Sequence, residues 1–252
     1  MAQLIETGES DGVLTITLNS PANRNALSAL LRSELLAALD AAAISTTARV
    51  VVLSHSGPVF CSGMDLRENA TTAPGSEGGR ELPRILQQIA RCPKPVIARV
   101  GGTARAGGIG LLAAADVVVT VTGATFAFLE IRLGLIPAVI SVPVLRRVST
   151  TAARELLLTG AVFDATRARE IGLANAVVEP DALDDEVDRY ARLMKLGGPG
   201  ALAETKAMLS RQHDDSDARY EALLQLSAHQ FAGPEGKEGG RAFLEKRPPR
   251  WA

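Results

Sequence analysis

The sequence predicts an α/β fold that is followed by a helical C-terminal part. Short segments of β-branched residues alternate with longer segments of helical apolar spacing up to about residue 180, which is typical of an α/β domain. Beyond that point the apolar residues recur at helical spacing. No linker of biased composition and no short-period repeat interrupts the chain.

Strands are predicted where β-branched and apolar residues cluster, and the segment VLTITL at 13–18 is the first of them. Further strands are predicted at 50–54, 94–100, 117–122, 125–129 and 174–180. Helices are predicted where Leu, Ala and Glu recur at helical spacing, first at 26–43. Further helices are predicted from residue 107 onwards and at 80–91, 152–158, 165–171, 182–196, 200–211 and 217–231. The polar, glycine-rich stretch 68–79 is predicted to be a mobile loop.

Length and composition indicate a globular protein with a substantial core. The 252 residues fit one large domain or one domain with an appendage. The chain is 46% apolar and 22% charged, which is typical of a soluble folded protein and not of a disordered one. A net charge of −1 and scattered Lys and Arg residues argue against a broad nucleic-acid-binding surface.

Cysteine usage and the first residues of the chain favour a cytoplasmic protein. Cys61 and Cys92 do not form the pattern of a disulfide framework, so a reducing compartment is the simpler interpretation. The three histidines lack metal-ligand spacing. The polar start MAQLIETGESDG does not have the pattern of a signal peptide. The apolar stretch 106–128 contains Asp116 and four glycines, which makes it a poor candidate for a membrane span.

The segment GPVFCSGMDL, residues 57–66, predicts a strand that runs into a turn. Gly63 permits a positive φ there, so that the following backbone amide can point outward and bind an anion. The alternative interpretation is an ordinary strand-to-helix turn with Asp65 near the start of the helix. Cys61, beside this turn, is more typical of a buried structural cysteine than of a nucleophile.

The segment AGGIGL, residues 106–111, lies between a predicted strand and an apolar helix. The amides of Gly107 and Gly108 are therefore expected at a helix N-terminus, where the helix dipole favours negative charge. The segment matches neither the phosphate-binding GxxxxGK[ST] pattern nor GxGxxG. Close packing of helix on strand is the alternative. Arg105 either contacts a ligand or lies in solvent.

Two acids stand alone in the long stretch 82–154, namely Asp116 and Glu130. Asp116 follows an alanine run and precedes a strand, which predicts a structural or capping role. Glu130 is embedded in apolar sequence, so its carboxyl group is expected to be partly desolvated, with a raised pKa that suits proton transfer. The alternative is a surface ion pair between Glu130 and Arg132.

Taken together, these segments resemble the enoyl-CoA hydratase/isomerase, or crotonase, family nearly from end to end. LNSPANRNALS resembles the first CoA-binding segment of the family, and GPVFCSGMDLRE resembles its F-x-x-G-x-D-L signature. KPVIARVGGTARAGGIGL resembles the second, glycine-rich signature. LGLIPAVIS, LTGAVFDATRAREIGLANAVV and GGRAFLEKRPPRW then follow in family order. No single segment is specific for this family, but six such segments in the family order make the resemblance strong.

The resemblance implies a fold and an assembly. The fold is a spiral of ββα units with a helical C-terminal region that drives trimerisation, often as a dimer of trimers. We expect residues 1–197 to form the spiral core with the acyl-CoA site and residues 198–252 to form the helical region. The substrate is an acyl-CoA thioester, so CoA is part of the substrate and no separate cofactor, metal, nucleic acid or membrane is expected.

The resemblance also implies roles for individual residues. The amides of Met64 and Gly107 form an oxyanion hole for the thioester carbonyl, and Glu130 is the acid and base. Arg24 reaches a phosphate group of CoA. Residues next to Arg24, residues around Gly63 and residues near the C-terminal end of the chain also contact the CoA moiety. These further CoA-binding residues are Ala22, Gly63, Asp65, Leu66, Gly108, Phe243 and Lys246. Phe243 and Lys246 contact the nucleotide end of CoA, either in the same subunit or from a neighbouring one.

The chain departs from the family pattern at one catalytic position. Family hydratases that use two glutamates place the first of them at the position of Gly110, whereas the second corresponds to Glu130. In addition, the segment 138–141 is AVIS where a glycine-rich GAGG is common. Isomerases of the family resemble this chain in that they keep only the second acid.

Three functions are therefore weighed. The first is an enoyl-CoA hydratase that adds water across a 2-enoyl-CoA double bond in fatty-acid or branched-chain acyl-CoA metabolism. The second is a Δ3-Δ2-enoyl-CoA isomerase that uses Glu130 as its single acid. The third is a non-catalytic acyl-CoA-binding protein, which Gly110 suggests and the retained Glu130 argues against. Among these the hydratase is preferred.

Overall fold

The computed structural model describes residues 3–65, 68, 77–210 (77–80 by backbone alone), 233–234, 237–238, 242, 245 and 247–250. Strands and helices within these residues are numbered in chain order. The strands are β1 (Ile5–Ser10), β2 (Val13–Leu18), β3 (Val50–His55), β4 (Val59–Cys61), β5 (Val96–Val100), β6 (Thr103–Arg105), β7 (Val117–Val121), β8 (Thr125–Ala127), β9 (Phe163–Asp164) and β10 (Ala176–Val178). The helices are α1 (Ala29–Ile44), α2 (Glu77–Arg91), α3 (Gly107–Ala114), α4 (Ala138–Arg147), α5 (Thr150–Thr159), α6 (Ala165–Glu170), α7 (Leu183–Lys195) and α8 (Pro199–Leu209).

Two sheets are formed by these strands, and each ββα unit contributes to both of them. The larger sheet has the order β1-β2-β3-β5-β7-β10, and the smaller sheet has the order β4-β6-β8-β9. In the consecutive units β3-β4-α2, β5-β6-α3 and β7-β8-α4, the first strand joins the larger sheet and the second joins the smaller one. The predicted α/β class and the spiral of ββα units are thereby confirmed.

The parallel strands in the middle of the larger sheet are almost entirely buried. Every residue of β3 and of β7 is buried, and α7 packs against β5 and β7. Parallel strands covered on both faces are expected to be continuously apolar, which explains the runs VVVL and VVV in the sequence. The sequence therefore predicted these strands well.

Three short or polar strands were not predicted. β6 has three residues and β9 has two, too few for a periodic pattern, whereas β4 lies within the strand predicted in the segment 57–66. β1 is exposed apart from Ile5, so its sequence IETGES has no apolar alternation. It pairs antiparallel with β2 through a turn in which Asp11 and Gly12 have φ values of 48° and 71°. Two positive φ values are typical of an Asp-Gly hairpin turn. This dipeptide is the sequence feature from which the β1–β2 hairpin could have been predicted.

One predicted strand needs correction, and two other predicted elements lie wholly or mostly outside the described residues. The strand predicted at 125–129 ends at Ala127, and a short 3-10 helix, Glu130–Leu133, follows. The predicted helix 217–231 and most of the stretch 68–79 lie outside the described residues.

Buried charged side chains join helices that are distant in sequence. Arg32 of α1 is 4% exposed and forms an ion pair of 2.8 Å with Glu81 of α2. Lys206 of α8 is 8% exposed, pairs with Asp116 at 2.6 Å and donates to the backbone oxygen of Ile89 at 3.0 Å. Asp116 also accepts a hydrogen bond from the Val96 amide at 2.7 Å, so it has the structural role that the sequence predicts. The division of the chain at residues 197 and 198 stays a prediction.

Candidate functional site

The candidate site lies at one edge of the smaller sheet. β4, β6 and β8 are adjacent parallel strands, so their carboxyl ends meet at the same edge. Met64, Gly107 and Glu130 each follow the carboxyl end of one of these strands. The crevice outside the carboxyl ends of parallel strands is a common ligand site in α/β proteins. The fold therefore brings together the three residues for which the resemblance implies a catalytic role.

The turns that carry the amides of Met64 and Gly107 are in direct contact. Gly63 has a φ of +93°, and a Cβ built on it would lie 3.0 Å from Ala106 Cβ and 3.4 Å from the Gly107 nitrogen. Ala106, which has a side chain, is held at a φ of 47°. The turn of Gly63 is fixed from the other side because the Leu27 amide donates to the Gly63 carbonyl oxygen at 2.8 Å. Strained residues at such a junction are typical of functional sites.

Both amide N–H groups can donate hydrogen bonds to an anionic ligand. Gly107 is the first residue of α3, and the first N–H groups of a helix have no acceptor within the helix. In the part of the chain that the structure describes, neither the Met64 nor the Gly107 N–H has a hydrogen-bond partner. The helix dipole adds positive potential at Gly107. Two such N–H groups can stabilise an oxyanion.

Gly108 lets α3 lie directly on β4. A Cβ at this position would lie 2.5 Å from the Cys61 carbonyl oxygen and 2.9 Å from Cys61 Cβ. Any side chain would therefore push α3 away from the strand and move the Gly107 amide with it. Close helix–strand packing, which was the alternative for this glycine pair, thus accounts for Gly108. Its contact with CoA stays a prediction.

Glu130 is a half-buried carboxylate at the start of a 3-10 helix. Its Oε2 atom is buried and has no hydrogen-bond partner among the described residues. Burial penalises the charged form and raises the pKa of this carboxyl group above its ordinary value of 4.5. The alternative ion pair with Arg132 is absent from the described structure, in which Arg132 Nε donates to the Thr159 carbonyl oxygen at 3.3 Å. A carboxylate with one buried, unpartnered oxygen and a raised pKa is suited to proton transfer.

A cavity of about 300 Å³ adjoins the Met64 turn. It brings together Arg24, Met64 and Asp65, for which the sequence predicts contacts with an acyl-CoA. Its lining residues are Ala22, Asn23, Arg24, Ala26, Ser62, Met64 and Asp65. The Arg24 side chain is exposed at this cavity, where it is accessible to a phosphate.

Asn25, a neighbour of Arg24 in the chain, holds the loop that lines this cavity. It is completely buried, and its Nδ2 donates to the carbonyl oxygens of Ser56 and Val59 at 3.0 and 2.8 Å. Its own φ is 51°, a left-handed conformation that asparagine tolerates better than most residues. These hydrogen bonds fix the position of the loop that carries Arg24. Leu66, Phe243 and Lys246, which the resemblance places on CoA, lie outside the described residues.

Arg105 and Cys61 have structural surroundings. The guanidinium group of Arg105 donates to the Thr125 carbonyl oxygen at 2.6 Å and to the Ala104 carbonyl oxygen at 3.0 Å, which joins β6 to β8. Burial lowers the pKa of this group. Cys61 is fully buried, and desolvation raises the pKa of its thiol to about 12. Such a thiol is a poor nucleophile at neutral pH, in agreement with the structural role predicted for it.

At Gly110 the space for a side chain is already occupied. A Cβ at this position would lie 2.7 Å from Ile140 Cγ2 and 3.5 Å from Leu86 Cδ2. The two departures from the family pattern, Gly110 and AVIS, are therefore in contact with each other. The position of the first acid is closed by a hydrocarbon side chain.

In the described part of the chain, no helix has both the length and the apolar character needed to cross a membrane.

Comparison with known proteins gives one family over nearly the whole chain. The family model described as "Enoyl-CoA hydratase/isomerase" matches residues 8–252. The chain is 34% identical to the mitochondrial enoyl-CoA hydratase domain-containing protein 3 of Danio rerio, with 100% of this chain and 88% of the relative covered. It is 32% identical to the mevalonyl-coenzyme A hydratase of Aspergillus fumigatus, over 95% of this chain and 91% of the relative.

Solved structures agree with the sequence comparisons. The fold superposes on the crystal structure of an enoyl-CoA hydratase from Mycobacterium smegmatis with a TM-score of 0.93 and 36% identity, over 98% of each chain. The similarity thus covers the spiral core and extends along the full length of both proteins. The chain belongs to the enoyl-CoA hydratase/isomerase, or crotonase, family.

Proposed function

We propose that the protein is an enoyl-CoA hydratase that works through an enolate held by two backbone amides. The observation that carries this proposal is the pair of unpartnered N–H groups of Met64 and Gly107. They lie at the same edge of the smaller sheet as Glu130. A thioester carbonyl oxygen between the two amides accepts both hydrogen bonds. The negative charge that develops on this oxygen is thereby stabilised, which is a large catalytic effect in reactions of this kind.

Glu130 performs both proton transfers in this mechanism. Its carboxylate takes a proton from water as the water oxygen bonds to C3 of the enoyl group, and the double-bond electrons pass to the carbonyl oxygen. The protonated Glu130 then delivers a proton to C2 as the enolate collapses. Water is thus added across the double bond without a net change in Glu130. The hydratase names of the relatives support this assignment, and they leave the acyl group open.

The CoA moiety is proposed to lie along the cavity beside the Met64 turn. Arg24 and Asp65 line this cavity, and Arg24 offers a guanidinium group to a phosphate. Leu66, Phe243 and Lys246 remain further candidates for CoA contacts. Fatty-acid or branched-chain acyl-CoA metabolism in the cytoplasm is the setting that we propose.

A Δ3-Δ2-enoyl-CoA isomerase is the second candidate, and the closed Gly110 position favours it. In this reaction a single base removes a proton from C2, the double bond moves from C3–C4 to C2–C3, and the same group returns the proton to C4. One carboxylate is sufficient for both transfers. The contact of Ile140 with Gly110 leaves no space for a second carboxylate without repacking.

A paired assay separates these functions. Hydration is followed by the loss of enoyl absorbance from crotonyl-CoA, and isomerisation by its gain from 3-hexenoyl-CoA. Hydration as the faster reaction supports our first proposal, whereas isomerisation without hydration assigns the second. Binding of both thioesters without turnover would contradict both and indicate a non-catalytic acyl-CoA-binding protein.

The raised pKa of Glu130 predicts a shifted pH profile. The mechanism requires an ionised Glu130, and burial makes this form less abundant at any acidic pH than it is for an exposed glutamate. We therefore expect kcat/KM to fall as the pH is lowered, with the half-maximal point above 4.5, the ordinary value for this side chain. A profile that stays flat down to that pH, in protein shown to be folded by circular dichroism, would contradict this role.

A trimer, or a hexamer made of two trimers, is the assembly that we propose. Large apolar side chains are exposed on the segment 131–145, and exposed patches of this kind typically mark protein interfaces. These side chains are Ile131, Leu133, Leu135, Ile136, Val139, Val142 and Leu145. Further residues with exposed apolar side chains, Leu158 and Val162, follow in the next unit.

Replacing Ile136 by Asp is expected to lower the native mass measured by light scattering to that of a single chain. Ile136 is 82% exposed, so the change costs the isolated fold little, but it places a charge in the interface. Ile44→Asp is the matched control, because Ile44 is 81% exposed at the end of α1. An assembly that persists in Ile136→Asp, or that dissociates equally in Ile44→Asp, would contradict an interface at this segment.

A further inference from the structure

The second turn of α3 lies beside α2. A Cβ at Gly107 would lie 3.7 Å from Leu82 Cδ2, and a Cβ at Gly110 would lie 3.5 Å from Leu86 Cδ2. Gly107 and Gly110 are about one helical turn apart in α3, and Leu82 and Leu86 are about one turn apart in α2. The two helices therefore run side by side in the same direction. Gly107 and Gly110 also share one face of α3. This face leads from the proposed oxyanion hole along an apolar wall.

The Ile140 side chain packs against α3 at Gly110 and forms part of this apolar wall. Its Cγ2 and Cβ would lie 2.7 and 3.2 Å from a Cβ at Gly110, and the side chain is 2% exposed. Farther along α4, the Arg147 guanidinium group donates to the Ala115 carbonyl oxygen, just past the end of α3, at 2.6 Å. The helix α4 therefore also runs in the direction of α3. Ile140 lies one turn away from the Gly107 amide, and Val144 lies farther away still.

The distance from the hole to Ile140 matches the start of an acyl chain. One helical turn rises about 5.4 Å, which is comparable to the reach from a thioester carbonyl to the next few carbons of the acyl chain. Since Gly110 has no side chain, Ile140 supplies the hydrocarbon surface here. A branch on the acyl group near this point competes with Ile140 for the same volume, because protein interiors are close-packed.

We propose that Ile140 is a specificity-determining residue, whose methyl group Cγ2 selects for acyl groups without a branch at C3. This inference rests on the proposed function, because it requires the thioester carbonyl to bind the Met64 and Gly107 amides. It predicts that thioesters whose acyl group is unbranched at C3 are the preferred ligands. Neither the family nor the names of the relatives specify this property.

Binding of two unreactive thioesters tests the proposal. Butyryl-CoA and isovaleryl-CoA are saturated and differ by one methyl group at C3, so their dissociation constants isolate the effect of the branch. Wild-type protein is expected to prefer butyryl-CoA. Ile140→Ala is expected to reduce this preference by about tenfold, the scale on which a pocket discriminates one methyl group. Ile140→Val removes only the terminal Cδ1 methyl group and keeps Cγ2, so it is expected to keep most of the preference.

Val144→Ala controls for loss of packing. Val144 is completely buried on the same helix but farther from Gly107, so its truncation creates a comparable cavity without opening the acyl wall. A preference that is unchanged in Ile140→Ala, or changed equally in Val144→Ala, would overturn the role of Ile140 while both thioesters still bind. Wild-type protein that binds neither thioester would instead overturn the proposed function, and this inference with it.

Discussion

Replacing Glu130 by Gln is expected to lower kcat by about 10²–10⁴-fold, the range that general acid–base catalysis contributes. The amide has nearly the shape of the carboxyl group, but it cannot take a proton from water or return one to C2. The KM for the thioester is expected to change little, because the Met64 and Gly107 amides and the CoA cavity are untouched. The effect should therefore appear in kcat.

The same substitution is expected to leave the protein at least as stable as the wild type at neutral pH. Glu130 has a buried, unpartnered oxygen, and its pKa is raised because the fold disfavours the charged form. A carboxyl group with a raised pKa costs stability above that pKa, and the cost disappears as the pH falls through it. A neutral amide removes this cost. Thermal denaturation at neutral pH measures the outcome.

Glu155→Gln is the matched control for Glu130→Gln. Glu155 pairs with Arg167 at 3.1 Å on the surface and is 54% exposed, so kcat should remain that of the wild type. Full activity of Glu130→Gln on crotonyl-CoA and 3-hexenoyl-CoA would exclude Glu130 as the acid and base. A loss of activity accompanied by a large drop in thermal stability would point to a structural role instead.

Replacing Gly63 by Ala is expected to lower kcat by about 10²–10³-fold, which is the effect of losing one oxyanion-hole donor. Gly63 has a φ of +93°, and an added Cβ would lie 3.0 Å from Ala106 Cβ and 3.3 Å from the Arg105 carbonyl oxygen. The turn must therefore shift, and the Met64 amide moves with it. Changing the Met64 side chain would be a weaker test, since the donor belongs to the backbone.

Gly172→Ala is the control for backbone strain. Gly172 has a φ of +89°, and its added Cβ would lie 2.8 Å from the Arg147 carbonyl oxygen, so both variants meet similar strain. A left-handed conformation costs a residue with a side chain about 1–2 kcal/mol, and both variants should lose thermal stability accordingly. We expect kcat to fall only in Gly63→Ala. Equal kcat values in the two variants would contradict the role of the Met64 amide.

The sequence predicted those parts of the fold in which local pattern and tertiary packing agree. β3 and β7 are continuous apolar runs because both faces of the larger sheet are covered. β6, by contrast, exists because its unit sends its second strand to the smaller sheet, and its three residues carry no period. Such strands are determined by their partners and not by their own sequence.

The candidate site was predicted to the extent that it depends on chain order. Gly63, Gly107 and Glu130 stand in recognisable segments, and the parallel strands bring their ends to one edge. The contact between Gly110 and Ile140 joins helices from different units. A single sequence shows neither which residue faces a glycine nor how closely. This contact, which closes the position of the first acid, therefore required the structure.

The backbone N–H donors of Met64 and Gly107 also affect how proteins of this fold can evolve. A point mutation replaces side chains, so the N–H groups of Met64 and Gly107 persist through most substitutions at those positions. A lineage can therefore gain a carboxylate at position 110, together with a smaller residue at position 140 that makes room for it, while the backbone still offers both donors to the anionic oxygen. The ability to stabilise an enolate is inherited with the backbone, whereas the position to which the proton is delivered depends on a few side chains that selection can change.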